Sequence, residues 1–333
     1  WLEAHCVPGQ TVLVSHVLDF AGRIYRDRYP QTPFVSVLPA PALLRSQATP
    51  PRLSSHIWER SIPRWMIPTL YRLADVWVDR VGAGSINRLR KRIGLPPVSR
   101  LLDRWWWSPD LVLGLFPEWY SIAVEDRWPE LELIGFPLAD SADVMEPHIA
   151  QQLSEMLKGF GEDKPLVFAP GTAHEQAGKF LEAAAAVCQE LNMPGVLLSA
   201  NAQQHPTRLP PRVVTAEYLP FSQLLPHAAA IIHHGGVGTT SQALRAGVPQ
   251  VVVPMAFDQF DNAERVAKLE CGSWLPMTKH SPSRLAAHLR NLPRTSLRCA
   301  LVAQQMSRQP PASELAVEKI EQMRARRALN NGR

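Results

Sequence analysis

No stretch of this 333-residue chain is long and apolar enough to cross a bilayer, since no run reaches 18 apolar residues. A basic start, apolar centre and small-residue cleavage site are also missing, so no secretory leader is expected. Cysteine is scarce. Cys6, Cys188, Cys271 and Cys299 are widely scattered and fit neither a disulfide framework nor a zinc spacing. Free thiols in a cytosolic protein are the expectation. Three nucleotide and hydrolase signatures are absent: no lysine follows a glycine loop in the Walker manner, no G-x-G-x-x-G occurs, and no G-x-S-x-G elbow exists. The chain opens WLEAHC rather than with methionine, which suggests a piece or a processed product.

What remains is a globular composition, 46% apolar and 20% charged, with a formal charge of +5. Part of the positive excess lies in Arg88-Leu89-Arg90-Lys91-Arg92 and in the tail Arg324-Ala325-Arg326-Arg327. Basic runs attract anionic surfaces. Nucleic acid is not expected, because no helix-turn-helix, zinc or aromatic RNA-binding motif accompanies them. Nine of the ten tryptophans precede residue 130. Such a cluster suits core packing, an apolar pocket or a membrane face.

Short apolar runs alternate with helical patterns through the second half. Strands are expected at 166–171, 195–199, 213–218, 229–233 and 250–254, and helices at 175–191, 239–246, 259–269 and 281–291. That alternation predicts a parallel, doubly wound α/β sheet, whose ligands bind beyond the carboxyl ends of its strands. The first half is less regular. Strands are expected at 11–15, 33–37, 111–116 and 131–136, a helix at 17–28, and a largely helical insertion at 55–93. Residues 137–161 suggest a linker. The expected domains are 1–150, 160–315, and a C-terminal helix with a basic tail at 316–333.

Two loops fall at strand ends, PGT at 170–172 and HHGGVGTT at 233–240. The second could hold a metal, cradle a phosphate, or simply turn. Adjacent histidines on a strand face opposite ways, and no third ligand lies nearby, which disfavours zinc. Gly235, Gly236 and Gly238 would let backbone N–H groups approach an anion at a helix N-terminus, with Thr239 and Thr240 as caps or hydroxyl donors. Some twenty residues on, MAFDQFDNAERV places Asp258 beside Gln259, a carboxylate and an amide suited to sugar hydroxyls. Asn262 follows on the next helix.

The stretch HHGGVGTTSQALRAGVPQVVVPMAFDQFDNAERVAKLECG (233–272) closely resembles the signature of the family 1 glycosyltransferases. The resemblance continues through EYLPFSQLLPHAAAIIHHGG and into WWWSPDLVLGLFPEWY and WPELELIGFPLAD, which look like bacterial members related to the rhamnosyltransferases of rhamnolipid synthesis. It implies the two-Rossmann glycosyltransferase B fold, here without the first strands of its N-terminal acceptor domain. It also implies a nucleoside diphosphate sugar, UDP- or dTDP-linked, held by the C-terminal domain. His234 would contact the diphosphate, with Gly235, Gly236, Gly238, Thr239, Thr240 and Thr172. Asp258 and Gln259 would hold the sugar, and Asn262 would join the donor site. Tyr218 to Phe221 would lie at the base, where the family's usual tryptophan is absent. No metal or other cofactor is implied.

The expected activity is inverting transfer of a hexosyl group to a hydroxyl of an apolar or lipid-like acceptor, in the cytoplasm at the inner face of the membrane. The pairing of Asp258-Gln259 with HHGG favours a transferase over an epimerase of like architecture. Inverting transfer also needs a base. The family's histidine loop is missing from this sequence. His16 and Asp19 are the nearest acceptor-side candidates, and Ser15 stands where an assisting aspartate would be. A nucleotide-sugar-binding fragment without catalysis is the alternative.

Overall fold

The computed structural model describes residues 1–55, 62–121, 130–138, 146–171 and 177–331. The chain divides into two units. One comprises Trp1–Pro51, Ile57–Pro137 and Pro310–Arg333, the other Arg52–His56 and Leu138–Gln309.

The first unit carries four parallel strands in sequence order: β1 (Leu13–His16), β2 (Phe34–Leu38), β3 (Leu111–Gly114) and β4 (Leu131–Leu133). β2 and β3 are apolar and buried, as expected of strands covered on both faces. Helix α1 (Phe20–Arg28) follows β1. The insertion forms α2 (Ile67–Val78) and α3 (Gly84–Arg92), joined by a widened π-turn at Asp79–Ala83.

A buried ionic network fastens α1 and α3 to the tryptophan cluster. Asp27 accepts from Arg90 Nη1 at 2.6 Å, from Trp105 Nε1 at 2.9 Å, and from Arg23. Arg23 Nε also donates to the Trp105 carbonyl at 2.8 Å. Burial pushes the Asp27 carboxyl up, but the Trp105 and arginine contacts outweigh it and leave it below its usual value. The WWW stretch is therefore core: Trp105, Trp106 and Trp107 are all buried.

The second unit holds six parallel strands in the order β10-β9-β8-β5-β6-β7. These are β5 (Leu166–Ala169), β6 (Gly195–Leu198), β7 (Val213–Ala216), β8 (Ala230–His233), β9 (Gln250–Val252) and β10 (Gly272–Trp274). Five match expectation. β10 was not foreseen, being only three half-buried residues at the sheet edge.

The supposed linker is corrected too. Pro147–Phe160 forms helix α4, starting on a proline at its first turn and ending at Gly161 with φ 65°. Its apolar residues Ile149, Leu153, Met156, Leu157 and Phe160 recur at helical spacing and pack on β5, β6 and β8 side chains. Further helices are α5 (Ala177–Leu191), α6 (Val237–Ala246), α7 (Gln259–Lys268), α8 (Pro282–Asn291) and α9 (Ser296–Ser307).

The C-terminal boundary moves from 316 to about 310. Helix α10 (Ala312–Asn331) belongs to the first unit, where Ala312 and Met323 pack with Val35, Leu111, Leu113 and Ile134. Lys319 pairs with Glu132 at 3.1 Å, and Arg327 with Asp110. The basic tail is thus partly spent on internal ion pairs.

Asp27→Ala would leave buried guanidinium groups and an indole N–H without their acceptor. Its expected cost is about 3–5 kcal/mol. Urea denaturation followed by tryptophan fluorescence checks this, since nine of ten tryptophans report on residues before 130.

Candidate functional site

In the second sheet, β5 has β6 on one side and β8 on the other, so the winding direction reverses between β5 and β8. A crevice opens beyond the carboxyl ends of strands at such a point. Ala169 of β5 lies in register with His233 of β8. Pro170-Gly171 and His234-Gly235 therefore leave the sheet at the same level, one on each side of the crevice.

The two histidines part as strand alternation requires. His233 is fully buried. Its Nδ1 accepts from the Gly235 N–H at 3.1 Å, so Nε2 carries the proton and donates to Gln250 Oε1 at 2.9 Å. Burial, helped by His234, pushes its pKa down to about 3. It is a neutral structural imidazole.

His234 is half-buried, with Nδ1 3.5 Å from the Ala169 carbonyl. Its ring lies between two glycines. A Cβ on Gly171 would stand 2.9 Å from the ring, and one on Gly236 only 2.5 Å from Nε2. Gly171 also has φ +86°. The glycines at these places make room for an imidazole at the crevice.

The remaining glycines differ in role. Gly235 has φ +93°, and a Cβ there would meet Val252 at 2.7 Å and the Gln259 carbonyl at 3.0 Å. Gly238 sits in the first turn of α6, and a Cβ there would meet nothing within 4 Å. Packing does not require it, although glycine in a helix costs about 0.5–1 kcal/mol relative to alanine. Helix α6 begins after Gly236 with no side-chain cap, so its first N–H groups face the crevice end with the positive pole of the helix. Thr239 lies in that first turn. Thr240 differs from expectation: it is buried, and its hydroxyl donates to the Gly236 carbonyl at 3.0 Å, which turns it into its own helix.

The next strand end supplies the acidic side. Asn262 is fully buried on α7, and its Nδ2 donates to the Gly235 carbonyl and to Asp258 Oδ2, both at 2.9 Å. It braces the glycine loop against Asp258 and is not itself presented to a ligand. Asp258 is half-buried, and burial, partly offset by Asn262, raises its carboxyl above the usual value. Gln259 is buried, with Oε1 accepting from the Met255 and Ala256 N–H groups at 2.9 and 3.1 Å. Its carbonyl thus shapes the β9–α7 loop.

Sequence reasoning missed Arg52. Its N–H donates to Asp261 Oδ1 at 3.2 Å, and its Nη1 to Glu264 Oε2 at 3.0 Å. Its guanidinium lies 4.6 Å from the Trp274 ring centre. A residue some two hundred positions upstream is clamped to the helix that carries Asp258 at its start, and no local pattern announces such a contact.

Tyr218 is exposed beside a cleft of about 430 Å³ lined also by His148, Gln152, His205 and Glu217. Phe221 instead packs against the core beneath α4. Thr172 lies outside the described residues. On the first sheet, Ser15 lies within β1 and His16 ends it. His16 Nδ1 accepts the Leu18 N–H at 3.1 Å, so a neutral ring holds its proton on Nε2 and has no free lone pair. Asp19 caps α1, accepting from the Ala21 and Gly22 N–H groups at 3.1 and 3.2 Å. Both groups thus serve local backbone turns, His16 through Nδ1 and Asp19 through Oδ1. Among the described residues no cluster of three or more His, Cys, Asp or Glu could hold a metal. All four cysteines are free and buried.

Residues 179–323 match the family described as erythromycin biosynthesis protein CIII-like, C-terminal domain. Aclacinomycin-T 2-deoxy-L-fucose transferase of Streptomyces galilaeus is 30% identical over 175 residues, 49% of this chain and 39% of that protein. Sterol 3-beta-glucosyltransferase of Leptosphaeria maculans is 27% identical over 256 residues, 72% of this chain and 17% of that protein. The chain spans 54% or less of the length of such curated relatives. Among solved structures, the glycosyltransferase VinC in complex with dTDP superposes with a TM-score of 0.63 at 22% identity, covering 95% of this chain and 72% of that one. The two-sheet α/β architecture is that of the glycosyltransferase B enzymes.

Two substitutions check the glycine roles. Gly235→Ala, strained in φ and in contact, should destabilise the second unit by about 2 kcal/mol or more, whereas Gly238→Ala should be neutral or stabilising. Thermal unfolding followed by circular dichroism separates them.

His233 gives a pH signature. An unfolded chain protonates this histidine near pH 6.5, but the folded one resists until about pH 3. Between those values the unfolded state binds more protons, so its contribution is full above pH 6.5 and is lost as pH falls towards 3. His233→Gln should flatten that part of the stability–pH curve; an unchanged slope would contradict the assignment.

Proposed function

We propose that this chain, whose C-terminal domain belongs to the erythromycin biosynthesis protein CIII-like family, takes part in transfer of a hexosyl group from a UDP- or dTDP-sugar to a hydroxyl of an apolar or lipid-like acceptor, with inversion. The observation that carries this reading is His234, seated between Gly171 and Gly236 where β5 and β8 open the crevice. There a half-buried imidazole stands beside Gly236, the residue after which α6 begins. The imidazole and the start of that helix suit the charge that grows on a departing diphosphate. No metal is needed for that task.

Asp258, held by Asn262, accepts hydrogen bonds from sugar hydroxyls, with Gln259 beside it. Tyr218 and its cleft suit a flat base, and Thr239 the phosphate edge. In the transfer, the acceptor oxygen bonds to the sugar's anomeric carbon as the bond to the diphosphate breaks. The acceptor proton passes to a base. The resemblance to transferases for a sterol and for aclacinomycin-T supports an apolar acceptor. A cytoplasmic location at the inner membrane face fits such an acceptor.

A second reading, binding of the nucleotide sugar without transfer, is favoured by one observation. His16 Nδ1 and Asp19 Oδ1 are both engaged locally. Sugar release or transfer measured with an apolar alcohol acceptor separates the two.

The binding part, common to both, is tested by thermal shift with UDP, dTDP and their sugars. Saturating nucleotide should raise the melting temperature of the wild type by several degrees, and His234→Ala should lose most of that rise while folding normally. No shift with any nucleotide, or an equal shift in the variant, would sink the site.

A further inference from the structure

Helix α2 is apolar on the wrong side for a helix that serves only its own domain. Ile67 is its one buried residue. Trp65, Leu73, Val76, Trp77 and Val81 are each between 61% and 77% exposed. Leu70, Leu73, Trp77 and Val81 follow at steps of three and four, so they share one face along α2 and the π-turn. Soluble surfaces rarely show contiguous apolar area of this kind without a partner.

The charges around it have one sign. Between residues 62 and 92 the exposed ionisable side chains are Arg64, Arg72, Arg80, Arg88, Lys91 and Arg92. The two acids in that span are turned inward. Asp75 is paired with Arg45 at 2.6 Å, and Asp79 accepts the Arg100 and Leu101 N–H groups at 2.6 and 2.9 Å. Exposed tryptophan, leucine and valine flanked by arginine, with no exposed carboxylate in the span, match a helix lying in an anionic lipid interface. A second copy of the same surface would set cation against cation.

We propose that the outer face of α2 and α3 docks this protein on an anionic bilayer surface. Trp65, Leu73, Trp77 and Val81 would enter the headgroup boundary, while Arg72, Arg80, Arg88, Lys91 and Arg92 contact lipid phosphates, Arg90 being buried on Asp27. The proposal rests on the membrane location advanced above, not on the donor site.

Co-sedimentation with mixed phosphatidylglycerol–phosphatidylcholine vesicles tests it. The wild type should bind them at least about ten-fold more strongly than pure phosphatidylcholine vesicles, and high salt should weaken binding. Leu73→Glu/Trp77→Glu should lose that binding about ten-fold while its thermal shift with dTDP or UDP stays unchanged. That unchanged shift keeps a failure here distinct from a failure of the donor site. Arg72→Glu/Arg80→Glu, wholly on the surface, provides the same test should the first variant not fold. Absence of binding to either vesicle, binding indifferent to both double variants, or self-association abolished by Trp77→Glu without vesicle binding would each overturn it.

Discussion

A neutral imidazole in the sheet holds the candidate site in shape. His233 accepts from the loop that follows β8 and donates to Gln250 at the start of β9. Charging it would place an ion in a fully buried position, which is costly enough to explain its depressed pKa. Its hydrogen bond fixes the Gly235 N–H, and with it the unusual φ that sends the chain sharply into α6. From that turn follow the seat of His234, the exposed start of α6, and the Gly235 carbonyl that Asn262 grips. Asp258 hangs from the same amide. The turn at the crevice is thus built on groups that stay uncharged or are already paired.

The first unit solves a different problem. Its helices lie over a cluster of tryptophans that could not be buried with their N–H groups and neighbouring arginines unmet. Asp27 answers three of those donors at once. The same economy turns Asp75 and Asp79 inward and leaves the outer side of α2 and α3 without acid. The single sign of charge on that face is therefore a consequence of how its acids are paired.

Much of the second unit was legible in sequence because its strands are short apolar runs bounded by turn residues, and its helices keep a 3.6 period. The HHGG and AFDQ segments lie at the carboxyl ends of β8 and β9, where the sequence pattern put them. Legibility failed where structure depends on distant partners. Thr240 looks like a phosphate hydroxyl, but a buried first-turn threonine satisfies its own helix. Asn262 looks like a ligand contact and proves to be a brace. Helix α4 hid behind flanking proline and glycine, and β10 was too short to show a pattern. The clamp of Arg52 on α7 has no local signature at all. Asp19 and His16 drew attention by residue type, and the structure adds local roles for both, a helix cap on Oδ1 and a turn on Nδ1.

His233 is a buried neutral imidazole and His234 stands half-buried at the crevice, and nitrogen-15 spectroscopy of the imidazoles reads the two apart. On titration with dTDP or UDP, the His234 ring nitrogens should shift as the imidazole meets the bound diphosphate. His233 should keep one tautomer, Nε2–H, throughout. Movement of the His233 signals with nucleotide, or a silent His234, would contradict these roles.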